Sequence, residues 1–365
     1  MEKINRTAAE VVVQDVVKVN KGERVLIIGN PATKEISFDL YNASIKAGAK
    51  ASLIFQPDKT SFDSANDEVI AAIESRPDVC FSISNIKLGK QPQAIAKPYK
   101  TEDGQEFTHI FDYLLDGIKV MRGVWTPGIT EDMMNRTAAI DYNLLQSRCR
   151  ALGEIFKGGK SVHVTAPAGT DLTISIEGRE LLFDDGDFSK PGTGGNIPAG
   201  EVFISPVVGS SRGVIVYDGS MTFSDGDSIL ETPITCKLDN GYVASIEGGA
   251  EAQRLIKTIT TAEDNSISME KDGSLPAGQG AIYKRNARNI GELGIGLNPA
   301  AGITGNMLED EKAFHTCHFA IGENYDNDGP TLIHLDGVVR EPTICITYED
   351  GSERVILENG ELQIK

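Results

Sequence analysis

Apolar side chains follow two different rhythms along the chain, and the change comes near residue 158. Before it, short continuous apolar runs alternate with stretches of helical spacing. Residues 3–18 place Ala9, Val12, Val13, Val16 and Val17 on one side, which predicts a helix. RVLIIGN, from Arg24 to Asn30, reads as a buried strand, and Thr33 to Ala47 as a helix closed by Gly48. ASLIFQ (residues 51–56) is a second strand, Asn66 to Ser75 a helix, and Asp78 to Ser84 a third strand. Residues 88–108 are polar and read as a long irregular loop. IFDYLLDGIKVMRGVW then gives a helix and a further strand, Thr130 is a helix cap, and Asp141 to Phe156 is a long helix stopped by Lys157-Gly158-Gly159. Strands that alternate with helices build right-handed βαβ units and a mostly parallel sheet.

After Gly159 the period shortens to two. SVHVTAP, DLTISIEG, EVFISPVVGSSRGVIVYDG, ITCKLDNGYVASIEGG and TICITYEDGSERVILENGELQIK are short strands parted by Gly, Asn, Asp and Pro turns. One helix is predicted among them, Ala250 to Thr261. The expected fold is therefore an α/β N-terminal domain with a mostly parallel sheet, residues 1–158. A β-rich α+β domain follows, residues 159–365, and carries the metal site.

Charge and composition narrow the function. A formal net charge of -18 argues against nucleic acid and anionic membrane surfaces as partners, since both are met by basic patches. The five cysteines are scattered without CxxC spacing, which fits reduced thiols rather than a disulfide framework or zinc ribbon. No apolar run approaches the roughly 20 residues of a membrane span, and the N-terminus lacks an apolar signal core, so a cytoplasmic protein is expected. The turn after the first strand, GNPATKE, lacks the glycines with which a nucleotide loop admits phosphate.

Candidate chemistry concentrates in residues 291–336, which hold three of the five histidines: His315, His318 and His334. His334 and Asp336 form an HxD pair. In a strand, residues two apart point to the same face, so both can reach one ion. Glu292 stands among glycines and aliphatics in GELGIG, where a buried carboxylate requires a metal or an ion-pair partner. Glu201 follows the proline-led turn GNIPAG, as a ligand or as an exposed acid at a strand end. His315 competes with His318 as a ligand. Cys317 and His318 point to opposite faces of the predicted strand, which speaks against a Cys–His nucleophile.

The order NIPAGEVF, GELGIGLNP, HFAIGENY and HLD resembles the aminopeptidase T and aminopeptidase S family of dinuclear metallopeptidases. The resemblance covers the C-terminal two-fifths and implies Glu201, Glu292, His318, His334 and Asp336 as ligands of two divalent ions, zinc, cobalt or manganese. It implies Tyr325 as the active-site tyrosine, Glu292 as a second catalytic candidate, a small peptide as substrate and a homodimer. A metal-bound hydroxide would attack the scissile carbonyl. One glutamate follows the proline-led turn here where the family has two, and the segment between His318 and His334 is shorter. The fold is also similar to that of a mononuclear iron dioxygenase that opens dihydroxypyridine rings, in which two histidines and an aspartate suffice. Three carboxylates suit two cations and over-neutralise one ferrous ion, so the expectation is a metallo-aminopeptidase. The iron ring-cleaving dioxygenase is the alternative, and a non-catalytic metal-binding protein a further one.

Overall fold

A computed structural model describes residues 6–60 and 63–364. Contacts divide the chain into two units: residues 1–146 with 184–199, and residues 147–183 with 200–365.

The first unit holds, among the described residues, a five-stranded sheet whose pairs are all parallel. Its strands β1 (Arg24–Gly29), β2 (Lys50–Phe55), β3 (Val79–Ile83) and β4 (Arg122–Trp125) lie in the order β4-β3-β1-β2, with the short strand Gly194–Asn196 beside β4. Every residue of β3 and all but the first of β1 are buried, as continuous apolar runs require in a sheet covered on both faces. Helices α1 (Lys34–Lys46) and α2 (Asp67–Glu74) fall where the 3.6 period placed them. The predicted helix at 3–18 is shorter and irregular: Thr7 caps Ala8–Val11 through a capping box with Glu10, and Val12–Val16 winds as a π-helix. Residues 3–5 of that expectation lie outside the described residues. The polar stretch 88–108 contains a short helix, Pro92–Ala96, and a two-residue hairpin pairing Tyr99–Lys100 with Glu106–Phe107.

The second unit is β-rich, as expected. An antiparallel sheet runs from Tyr242–Glu247 through Gly159–Thr165 to Glu353–Glu358 and the C-terminal strand. A second sheet contains β5 (Glu201–Ile204), β6 (Ile290–Gly296), β7 (Thr316–Gly322) and β8 (His334–Arg340), which are neighbours in that order and antiparallel. All seven residues of β6 and of β7 are buried. The helix expected to end at Thr261 runs from Ala250 to Lys271. Its last turns are polar in sequence but bury Ala262 and Ser266, and Ser266 returns its hydroxyl to the Ala262 carbonyl. Among the described residues no helix is long and apolar enough to cross a membrane.

Candidate metal centre

The register of the second sheet brings the candidate ligands together. Glu201 pairs with Gly296, Phe203 with Gly294, and Gly294 with His318. Ala320 pairs with both Glu292 and Asp336, and Gly322 with His334. Paired residues share a face and faces alternate along a strand, so Glu201, Glu292, His318, His334 and Asp336 all project from one side. Their neighbours on that face are small: Gly294, Gly296, Ala320 and Gly322 leave room for long polar side chains. Leu293, Ile295, Cys317 and Phe319 face the other way and are buried in the core.

The five side chains form one connected cluster. His318 Nε2 is 3.3 Å from Glu292 Oε1 and 3.4 Å from Glu201 Oε2. His334 Nε2 is 3.1 Å from Glu292 Oε2 and 3.2 Å from Asp336 Oδ1. The opposite nitrogen of His334, Nδ1, is 2.9 Å from the Glu323 carbonyl. An N–H donated there fixes the tautomer and leaves Nε2 as the ligating atom. A Cβ on Gly294 would stand 2.0 Å from the His318 ring, so only glycine admits the imidazole at this point.

Two members were not expected. Lys312, with no exposed side-chain surface, places Nζ 3.0 Å from Glu201 Oε1 and also contacts the Glu311 carboxylate. In sequence both belong to LEDEK, a charged run of the kind that reads as solvated surface. No local signal in the sequence marks either residue as buried.

Electrostatics follow from burial and pairing. Burial pushes the Glu201 carboxyl up to about 8 in spite of Lys312, and raises Glu311 as well. Glu292 is equally buried, yet hydrogen bonds from His318 and His334 hold it below the usual carboxylate range. Burial likewise opposes ionisation of Asp336, but His334 draws it down to about 2. Burial alone would depress both histidines. Glu292 and Glu201 instead raise His318 to about 9, and Asp336 and Glu292 raise His334 well above its ordinary value. Protons therefore stand on the nitrogens where a cation would otherwise stand.

The remaining candidates resolve clearly. His315 lies outside the cluster, with Nδ1 3.1 Å from the Gly360 carbonyl and 3.4 Å from Glu361. His163 pairs with Asp171 on the strand surface, 2.8 Å away. Tyr325 packs against Phe203, tilted by 56° with centroids 4.8 Å apart, and meets His334 edge-on at 5.4 Å. It remains 51% exposed, at the open side of the cluster. Desolvation of its hydroxyl, then the nearby Glu292 and Asp336, keep the phenol protonated far above its usual range. In the first unit a cavity of about 500 Å³ opens at the C-terminal ends of β3 and β4, bounded in part by Ser84, His109 and Trp125, and none of the predicted site residues lines it.

A family model described as 2,5-dihydroxypyridine 5,6-dioxygenase matches residues 129–363. The 2,5-dihydroxypyridine 5,6-dioxygenase of Pseudomonas putida KT2440 is 26% identical over 255 residues, which are 67% of this chain and 64% of that protein. The chain thus matches somewhat under two-thirds of the length of this relative. The solved structure of 2,5-dihydroxypyridine dioxygenase from the same organism superposes with a TM-score of 0.69 at 17% identity, covering 97% of this chain and 95% of that one. Wild-type AmpT from Thermus thermophilus superposes at 0.65 and 16% identity, covering 98% of each chain. At these identities the two structures show a shared fold.

These findings correct the expectation of a hydrolase. The aminopeptidase resemblance holds for the fold, and the family match assigns the chain to the dioxygenases instead. The count of carboxylates does not decide the metal number, because Glu201 is in contact with the Lys312 ammonium. Glu292 and Asp336 then remain to neutralise one divalent ion, and the objection to a single ferrous ion disappears.

Proposed function

Because this chain belongs to the 2,5-dihydroxypyridine 5,6-dioxygenase family, we propose that it is an iron-dependent dioxygenase that opens a dihydroxylated nitrogen heteroaromatic ring. The observation that carries the reading is the family match over residues 129–363, which takes in every member of the acid–imidazole cluster.

The residues present fit a ferrous ion. Three carboxylates, Glu201, Glu292 and Asp336, turn oxygens towards the Nε2 atoms of His318 and His334 within 3.1–3.4 Å, a dense convergence of oxygen and imidazole donors that suits a divalent cation. His318, His334 and Asp336 are the two-histidine, one-carboxylate set that leaves positions open for oxygen and substrate. Bound there, ferrous iron supplies the redox chemistry that lets dioxygen react with an electron-rich ring.

The chain's own groups do the rest. Glu292 turns one oxygen to each histidine and is placed to take the proton of a ring hydroxyl as the substrate docks. Phe203 and Tyr325 form an aromatic wall that suits a flat ring. The Tyr325 phenol, protonated and at the open side, offers a hydrogen bond to a ring substituent. His334 keeps 25% of its side-chain surface exposed while His318 keeps 1%, so the approach is from the His334 side and the far end stays dry. The overall reaction breaks one ring carbon–carbon bond and places both atoms of O₂ in the product, the ring supplying the four electrons.

The test is oxygen uptake by protein reconstituted anaerobically with ferrous iron and then given 2,5-dihydroxypyridine. Uptake coupled to loss of the ring absorbance supports the reading. Absence of both, with iron bound and the fold intact, refutes it for this substrate class.

A further inference from the structure

The cluster holds two groups of metal-ligating side chains rather than one. Glu292, His318 and Asp336 bring ligand atoms within 4.8 Å of one another, and so do Glu201, Glu311 and His318. The groups share His318 and adjoin, which is the layout of a two-ion centre. Lys312 enters the second group, with Nζ 3.0 Å from Glu201 Oε1 and in contact with Glu311. We propose that Lys312 is a built-in cation that fills the second pocket, so that the centre takes one metal ion per chain. The proposal rests on the reading of the cluster as a metal centre and goes beyond it by naming the residue that keeps the second pocket free of metal.

Three observations carry it. First, burial of an ammonium costs several kcal/mol unless charges compensate it, and two carboxylates from different segments converge on this one. Second, the backbone of Lys312 is held in place. Its N–H donates to the Glu309 carbonyl, and its own carbonyl accepts from Asn298. Gly296 lets this segment lie against β6, since a Cβ there would stand 2.1 Å from the Ala313 oxygen. The side chain is therefore aimed by the fold. Third, a divalent ion among Glu201, Glu311 and His318 would share its space with a fixed positive charge at hydrogen-bond distance from its own ligands. Coulomb repulsion at such range is several kcal/mol even at an effective dielectric constant near 20. In the first group, Glu292, His318 and Asp336, the carboxylates are met at 3.1–3.3 Å by the imidazoles of His318 and His334, which are themselves metal-ligating groups, so this remains the place for the ion.

The experiment counts ions. Full-length protein, Lys312→Ala and Lys312→Arg are each equilibrated with Mn²⁺, dialysed and analysed for metal per chain, and their electron paramagnetic resonance spectra are recorded. The wild type and Lys312→Arg should carry one ion with the spectrum of isolated Mn²⁺. Lys312→Ala should carry two, with the spectrum of an exchange-coupled pair. Two ions in the wild type, or one in folded Lys312→Ala, overturns the proposal while leaving the metal centre standing. No ion in the wild type overturns the metal centre together with it. Should Lys312→Ala fold only with Mn²⁺ supplied and then hold two ions, the proposal is supported, because the ion has replaced the ammonium. Failure to fold even with Mn²⁺ present counts against it.

Discussion

Gly294 and His318 stand directly opposite each other on β6 and β7, and a Cβ on the glycine would fall 2.0 Å from the imidazole Nε2. Absence of a side chain at one position is therefore what permits the ligand at the other. Gly294→Ala should push the His318 ring away from Glu292. Outer-shell disruption of this kind typically weakens metal binding about 10–100-fold, and overpacking costs about 1–3 kcal/mol of stability. Metal titration followed by thermal unfolding checks both, and unchanged affinity would show that the ring has another resting place.

The two histidines three residues apart should separate cleanly. His318→Ala should abolish tight metal binding, whereas His315→Ala should leave it intact, because His315 bonds to the Gly360 carbonyl outside the cluster. Metal content after dialysis reads the difference directly.

Metal should also stabilise the folded chain. With free ion at 100 times its Kd, linkage predicts about 2.7 kcal/mol of added stability, removed by a chelator. Asp336→Asn should lose most of this increment. A Tm that does not move with metal would argue that the histidine contacts already satisfy the carboxylates of Glu201, Glu292 and Asp336.

Tyr325→Phe should leave ion stoichiometry unchanged and keep the ring packed on Phe203 and His334, while it lowers turnover on the ring substrate. Loss of one hydrogen bond to a reacting group corresponds to roughly a tenfold effect. Steady-state kinetics beside metal analysis distinguish this from a structural defect, in which both would fall.

A prediction on pH concerns the first unit. Burial lowers His109 to about 4 from its ordinary 6.5, and its neutral Nδ1 accepts the Phe111 N–H at the start of a short helix. The unfolded chain then binds more protons than the folded one between about pH 4 and 6.5. Stability from this residue is full above 6.5 and declines as pH falls towards 4. His109→Asn keeps a capping acceptor without a titration, so the difference between wild type and variant should grow across this window. Asp112, raised to about 6 by partial desolvation, acts in the opposite sense in both proteins and cancels in the difference.

Much of this was legible in the sequence because it depends on period. The apolar runs of β1 and β3 and the spacing of α1 and α2 are strong local signals. The HxD pair and GELGIG declare their faces once the strands are recognised. What remained hidden depended on charges meeting across the fold. Nothing local marks Lys312 as buried, since LEDEK has the composition of a surface turn, and only the convergence of Glu201 and Glu311 accounts for its position. That single ammonium weakens the argument from carboxylate count, while the expected reaction is overturned by the family match.

The most direct measurement of the central claim is the fate of oxygen atoms. Iron-loaded protein is given 2,5-dihydroxypyridine under ¹⁸O₂ in ordinary water, and the product is analysed by mass spectrometry. A dioxygenase should yield ring-opened product carrying two labelled atoms, with allowance for exchange of any aldehyde or formyl oxygen. Product whose new oxygen comes only from labelled water in the converse experiment would contradict the account.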